Sequence, residues 1–136
     1  MAEKLDRTAW ASYSFGMARE ILIVDDSLVA RMAIKNFLST ADASFREASS
    51  GEEALSLLDG GYRPALVFLD LTMPGMGGAK TLKEIRARHP TMLVVVITAD
   101  VQASTLEELG ALGVSGVIRK PADKVSVLTW FGKAGG

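Results

Sequence analysis

The chain has 136 residues, enough for one domain with a substantial hydrophobic core. Its formal net charge of −1, from 15 basic and 16 acidic residues, argues against nucleic acid or an anionic membrane as the main partner. With no cysteine and a single histidine, the chain lacks the residues for disulfides, thiolate or His-based zinc sites and cysteine nucleophiles. No apolar run approaches the ~20 residues that span a bilayer, so we expect a cytoplasmic protein.

Residues 1–18 fit neither the helical nor the strand period. Met17 stands just before the first predicted strand and is a candidate natural start. This segment is therefore interpreted either as an expression tag or misassigned start, or as an extension that docks on the domain. We expect residues 19–132 to form the domain and residues 133–136 a short tail.

Apolar runs alternate with amphipathic stretches along the rest of the chain. The first run ends in Asp25 and Asp26, and the third, a strand with the pattern of burial on both faces, ends in Asp70. The second run is more polar and suits a sheet edge. The last helix offers Val125, Leu128 and Trp130 or Phe131 for packing. The predicted strands are 21–24, 44–48, 65–69, 92–97 and 116–119. The predicted helices begin after a cap at Asp26 or Ser27, at Gly51, and at 78, 103 and 122.

Five strands alternating with five helices predict a parallel sheet with helices on both faces. Ligands bind such sheets beyond the carboxyl ends of the strands. Four of the five predicted strands end in a distinctive polar residue, and only the second does not. These strand-end residues are Asp25, Asp26, Asp70, Thr98 and Lys120.

Three carboxylates at one sheet edge repel one another, so protons or a cation must relieve the repulsion. An all-oxygen ligand set suits Mg²⁺ or Mn²⁺. A simpler interpretation is that Asp25 and Asp26 only cap the following helix. Asp70 at the end of a separate strand favours metal binding over that interpretation. Lys120 can bring an ammonium group to the carboxylates, and its bond to Pro121 is a candidate cis peptide.

A lysine, a cation and the hydroxyl of Thr98 around a carboxylate would stabilise the charge of a transferring phosphoryl group. The carboxylate would then be the nucleophile and form an aspartyl phosphate. Ala99 leaves room above such a site.

The sequence resembles the receiver domains of two-component response regulators from about Glu20 to Phe131. The resemblance rests on five motifs in order and spacing. They are ILIVDDS (21–27), Ala48-x-x-Gly51-x-Glu53-Ala54-Leu55, FLDLTMPGMGG (68–78), VVVITAD (94–100) and GVIRKP (116–121). The resemblance implies a flavodoxin-like, doubly wound five-stranded parallel sheet of order 2-1-3-4-5.

The resemblance also implies roles for single residues. Asp70 would be the phosphoacceptor and would bind Mg²⁺ together with Asp26, with Asp25 acting mainly through water and Thr72 through its backbone carbonyl. Lys120 would bridge to the phosphoryl group. The remaining assignments are Thr98 as the hydroxyl that moves on activation, and Thr72 and Asp100 as the positions that modulate hydrolysis.

The chain departs from the family pattern at Val117, where receivers usually carry Tyr or Phe. Valine has few χ1 states and no ring to move, so a threonine–aromatic switch cannot operate in the usual way. Phosphorylation can still add charge at Asp70 and shift the loop after strand four, because Gly110 weakens the helix that follows. Gly77, where Asp is common, and Ala122, where Phe is commoner, are lesser departures.

The resemblance implies a receiver that takes phosphate from a histidine kinase or a histidine phosphotransfer protein. We expect a stand-alone receiver, and a receiver that is part of a longer protein stays open. An output protein would bind at helix four, strand five and helix five. Two other interpretations stay open at this stage: a phosphorylation-independent interaction module, favoured by Val117, and a small-molecule phosphatase, which lacks a second acid because Thr72 occupies that position.

Overall fold

The computed structural model describes residues 18–135. In chain order the elements are β1 (Arg19–Val24), α1 (Leu28–Phe37), β2 (Ala43–Ala48), α2 (Gly51–Asp59), β3 (Leu66–Asp70), α3 (Gly77–Arg88), β4 (Val94–Thr98), α4 (Ala103–Ala111), β5 (Gly116–Arg119) and α5 (Lys124–Gly135). The five strands form one parallel sheet of order β2-β1-β3-β4-β5. The predicted flavodoxin-like fold and strand order are confirmed. The interpretations of residues 1–17 lie outside the described residues.

The alternation of side chains along each central strand divides the core into two layers. On one face, Ile23 and Phe68 pack with residues of α1 and α5; on the other, Leu22 and Leu69 pack with residues of α2, α3 and α4. Both faces of β3 and β4 are therefore covered, which explains their continuous apolar runs. None of the helices within residues 18–135 is long and apolar enough to cross a membrane.

The last helix corrects one predicted packing face. We expected Val125 inward, but its side chain is 74% exposed, whereas Val127 and Phe131 are buried. The helix begins at Lys124, two residues later than predicted, because the Asp123 carboxylate accepts hydrogen bonds from the Ser126 backbone N–H and hydroxyl at 2.8 and 2.9 Å. Val127 and Phe131 are four residues apart and share the inward face. The helix continues to Gly135, through most of the predicted tail.

The loop between β3 and α3 brings the first turn of α3 against the end of β3. Gly78 donates its backbone N–H to the Leu71 carbonyl at 3.0 Å. A Cβ at this position would collide with the Asp70 carbonyl oxygen and lie 2.6 Å from Leu71 Cα, both of them backbone atoms that side-chain motion cannot clear. Gly78 thus permits the close approach that fixes the backbone around Asp70.

Replacing Gly78 with alanine should destabilise the domain by about 1–3 kcal/mol, because the added methyl group overpacks against backbone. Gly110→Ala is the matched control. Gly110 lies in α4, and a Cβ there would have no atom within 4 Å other than its chain neighbours and the backbone of its own helix. This change should therefore stabilise the domain by about 0.5–1 kcal/mol. Urea unfolding of both variants measures the two effects. Equal stability of Gly78→Ala and the wild type would contradict the predicted collision.

Candidate functional site

The carboxyl ends of the strands bring the predicted polar residues to one edge of the sheet. β1 and β3 are neighbours, and Asp25 and Asp70 stand at or just beyond their ends. Lys120 follows β5, two strands away from β3, and its side chain reaches back across the end of β4. Its Nζ lies 3.0 Å from Asp70 Oδ1 and 3.4 Å from Asp25 Oδ2. Carboxylates from two strands and an ammonium from a third therefore share one site.

Burial sets the electrostatics of this site. Asp25 and Asp70 are 4% and 3% exposed. Burial raises the pKa of the Asp70 carboxyl above its ordinary value; the hydrogen bond from Lys120 opposes the rise and the Asp25 charge adds to it. Burial alone would lower the pKa of Lys120, but the Asp70 and Asp25 carboxylates outweigh it and hold that pKa above its ordinary value. Lys120 is thus the fixed positive charge of the site.

The three aspartates fit a hard divalent cation. Carboxylate oxygens of Asp25, Asp26 and Asp70 all lie within 4.8 Å of one another. Asp26 is exposed, so a cation held there keeps access to water, as Mg²⁺ prefers. Carboxylate oxygens are also the donors that Mg²⁺ and Mn²⁺ favour.

Backbone groups and hydroxyls complete the site. The Thr72 backbone N–H donates to Asp70 Oδ1 at 3.4 Å. Thr98, 2% exposed, ends β4 one residue beyond the register partner of Asp70, and its Oγ1 accepts a hydrogen bond from the Asp100 N–H at 2.9 Å. That contact uses a lone pair of the hydroxyl and leaves its proton available for donation.

The loop from β4 to α4 is held by Asp100. Its carboxylate accepts from the Thr105 hydroxyl at 2.7 Å and from the Gln102 N–H at 3.1 Å. The Thr105 and Gln102 hydrogen bonds lower the pKa of the Asp100 carboxyl. Val117 lies on the α4 side of the sheet, half-buried against the core there. The structure thus links Thr98 to α4 through Asp100.

The edge strand β2 ends in no distinctive polar residue, but it contributes to the site indirectly. Glu47 of β2 accepts a hydrogen bond from Arg31 of α1 at 2.9 Å, and the same guanidinium donates to the Asp25 carbonyl at 2.7 Å. Neither residue lies at the end of a strand, so the pattern of strand-end polar groups includes neither. The sequence offered one indication of this contact. Glu47 is an acid on a predicted strand, and Arg31 and Lys35 are two bases spaced i, i+4 on a predicted helix.

Comparison with known families shows which family the chain belongs to. Residues 21–130 match the family model described as the response regulator receiver domain. The chain belongs to this receiver family. Membership supports phosphoacceptor function in two-component signalling and favours it over a phosphorylation-independent module. Receiver domains are signalling modules that interact with histidine kinases and output domains.

Individual relatives agree with this assignment. The receiver is 34% identical over 116 residues to the chemotaxis protein CheY of Listeria monocytogenes, covering 85% of this chain and 97% of that protein. It is 36% identical over 112 residues to the Regulator of RpoS of Escherichia coli, covering 82% of this chain but about a third (33%) of that protein. In structure it is similar to the chemotaxis protein CheY4 of Vibrio cholerae, with a TM-score of 0.79, 24% identity, and coverage of 85% of this chain and 98% of that one, a likeness of fold.

The buried charge of Asp70 should cost the receiver stability at neutral pH. Because the folded-state pKa of Asp70 is raised, the folded protein keeps this proton to a higher pH than the unfolded chain does, and stability falls as the pH rises through that interval. In a chelator, Asp70→Asn should therefore raise the free energy of unfolding at pH 7 by on the order of 1 kcal/mol. The gain should vanish below pH 3.8, the ordinary value for this carboxyl.

The matched control is Glu107→Gln, which makes the same change in net charge at an exposed position of α4. It should leave stability within ~0.5 kcal/mol of the wild type. Urea unfolding across this pH range measures both variants. A less stable Asp70→Asn at pH 7 would show that the carboxylate is a net stabilising group and would contradict the predicted cost of its burial.

Proposed function

We propose that Asp70 is the residue of this receiver that accepts the phosphoryl group. The contact that carries the proposal is that of Lys120 Nζ, 3.0 Å from one buried carboxylate and 3.4 Å from another. An ammonium held beside a buried acid by two carboxylates is placed where the oxygens of an incoming phosphoryl group would lie. A purely structural ion pair would need only one of the two acids.

The transfer is a displacement at phosphorus. A carboxylate oxygen of Asp70 attacks the phosphorus of a phosphohistidine, forming the O–P bond of an acyl phosphate. The N–P bond breaks and its electron pair stays on the imidazole of the donor. Little covalent chemistry is required of the protein, so its contribution is mainly orientation and charge stabilisation.

Asp25, Asp26 and Asp70 would hold Mg²⁺ or Mn²⁺, with the backbone carbonyl of Thr72 as a further ligand. The bound ion supplies neutralisation of charge on the phosphoryl oxygens. Lys120 holds one phosphoryl oxygen, and the Thr98 hydroxyl donates to another while its oxygen accepts from the Asp100 N–H. The catalytic residues proposed for the reaction are therefore Asp70, Lys120 and Thr98.

Four further positions would modulate the site. Thr72 and Asp100 would modulate how fast the acyl phosphate hydrolyses, and the small side chain of Ala99 would leave room for the phosphoryl group. Val117 cannot act as the aromatic partner of Thr98. Movement of Thr98 would instead act through Asp100 on the hydrogen bond to Thr105 and so on the first turn of α4.

Two exposed apolar groups suit two kinds of partner. Leu28, Val29 and Met32 of α1 are 58%, 76% and 48% exposed, beside a cavity of about 500 Å³ that Asp25 and Lys120 also line. A histidine kinase or histidine phosphotransfer protein would dock here. Leu106 of α4 and Val125 and Leu128 of α5 are also exposed, and an output protein would bind at the face formed by α4, β5 and α5.

The proposed receiver is cytoplasmic and turns over no independent substrate. It catalyses its own phosphorylation and dephosphorylation, and its direct partners are proteins rather than nucleic acid or membrane.

Incubation with acetyl phosphate and Mg²⁺ should add the mass of one phosphoryl group to the intact receiver. The adduct should be absent in Asp70→Asn and after addition of a chelator, because both the nucleophile and charge neutralisation are required. Lys120→Met should slow its formation by about 10²-fold, since one charged donor to the phosphoryl group is lost. Intact-mass spectrometry over time measures all of these.

Asp59→Asn, at an exposed acid that pairs with Arg88 far from the site, is the control and should react like the wild type. An adduct that persists in Asp70→Asn would place the phosphate elsewhere. A wild type that never gains the adduct would favour the interaction module, and continuous release of phosphate without an adduct would favour the phosphatase.

A further inference from the structure

The backbone of Asp25 is fixed by contacts beyond the side chains of the site. Its N–H donates to the Ala48 carbonyl of β2 at 3.0 Å, which extends the pairing of β1 and β2 by one residue. Its Oδ1 accepts from the Ser27 N–H at 2.9 Å, and its Oδ2 faces Lys120. The remaining polar atom, the carbonyl oxygen, accepts from Arg31 Nη1 at 2.7 Å. This carbonyl belongs to the peptide that joins Asp25 to Asp26, so holding it restricts the backbone that carries both carboxylates.

Arg31 is itself held in place from the far side. Its Nε donates to Glu47 Oε1 at 2.9 Å, and the other oxygen of Glu47 accepts from Lys35 at 2.7 Å. The Arg31 side chain is 15% exposed, less than half of the 34% of Lys35. The hydrogen bonds from Lys35 and Arg31 lower the pKa of Glu47, so this carboxylate stays charged at neutral pH. One guanidinium thus connects the edge strand β2 to the peptide that carries the acids of the site.

We propose that Arg31, anchored by Glu47, is a positioning residue for the divalent cation site. It contacts no ligand oxygen of the ion. It fixes the peptide between Asp25 and Asp26 so that their carboxylates stay within reach of Asp70. The proposal rests on the proposed function, because it assumes that these three acids hold the ion.

Electrostatics and positioning predict opposite signs for the loss of Arg31. Removing a positive charge near a cation site should tighten cation binding by Coulomb's law. Removing a positioning contact should weaken it, because the carboxylates must be reordered when the ion binds, and losses of outer contacts commonly cost 10–100-fold in metal affinity. A weakened affinity therefore cannot come from the lost charge.

The test is a titration of the chelator-treated full chain with Mn²⁺, followed by electron paramagnetic resonance of the free ion. Arg31→Met and Arg31→Lys should both raise the Mn²⁺ dissociation constant about 10-fold. Arg31→Lys conserves the charge and isolates the geometry, because one ammonium cannot replace the fork that reaches both Glu47 and the carbonyl. Glu47→Gln should weaken binding in the wild type but have no further effect in Arg31→Met, if it acts through the arginine.

Lys35→Met is the matched control. It removes the other partner of Glu47, one helical turn or about 6 Å further along α1, and leaves the Asp25 carbonyl contact in place. Its Mn²⁺ affinity should stay within about 2-fold of the wild type, because Lys35 bonds to Glu47 and not to the peptide that joins Asp25 to Asp26. Thermal unfolding of each ion-free variant reports how much stability each loses.

The proposal is overturned if folded Arg31→Met and Arg31→Lys bind Mn²⁺ as tightly as the wild type or more tightly. It is also overturned if Lys35→Met, with an equal loss of stability, weakens binding as much. Should Arg31→Met fail to fold, Arg31→Lys decides the question by the same measurement, because it keeps the charge. If instead the three aspartates do not hold the ion, Asp25→Asn should leave the Mn²⁺ binding of the wild type unchanged. That result distinguishes a failure of the proposed function from a failure of the positioning role.

Discussion

Two buried carboxylates at the end of a parallel sheet repel each other, and the ammonium of Lys120 is the group that holds them together. Asp25 and Asp70 are almost wholly excluded from solvent and are delivered by neighbouring strands, so neither can turn away into water. Lys120 reaches both from two strands away. The rest of the structure serves this contact: the buried strands fix where the acids end, and Gly78 lets α3 close against the backbone of Asp70.

The same contact explains why the site is prepared for chemistry. Burial raises the pKa of Asp70, which means that its anionic form is destabilised in the folded protein. Functional sites commonly carry such a loss of folding stability. Added positive charge and a transferring phosphoryl group would both be accommodated there. The link from Thr98 through Asp100 to Thr105 then gives the site a route to α4 that does not require an aromatic residue at Val117.

The grouping of polar side chains at the end of the sheet could be predicted from the sequence better than the contacts that hold it. Asp25, Asp70 and Lys120 could be found because a buried strand ends abruptly in a polar residue, and the carboxyl ends of parallel strands share an edge. The inward face of α5 was misplaced because the helix carries two apolar rows, Val125 with Leu128 and Val127 with Phe131, and only packing against the sheet selects the second. The contact between Arg31 and Glu47 spans 16 residues and depends on the direction of long side chains, which spacing along the sequence does not specify.

The central claim is that one pocket at the end of the sheet binds a divalent ion and a phosphoryl group together on Asp70. A crystal structure of the receiver with Mg²⁺ and beryllofluoride, a phosphoryl mimic, tests it most directly. We predict beryllium bonded to a carboxylate oxygen of Asp70, a fluorine contacted by Lys120 Nζ, and Mg²⁺ ligated by carboxylates of the three aspartates. Beryllofluoride bound to another residue, or Mg²⁺ bound away from Asp26 and Asp70, would contradict the claim.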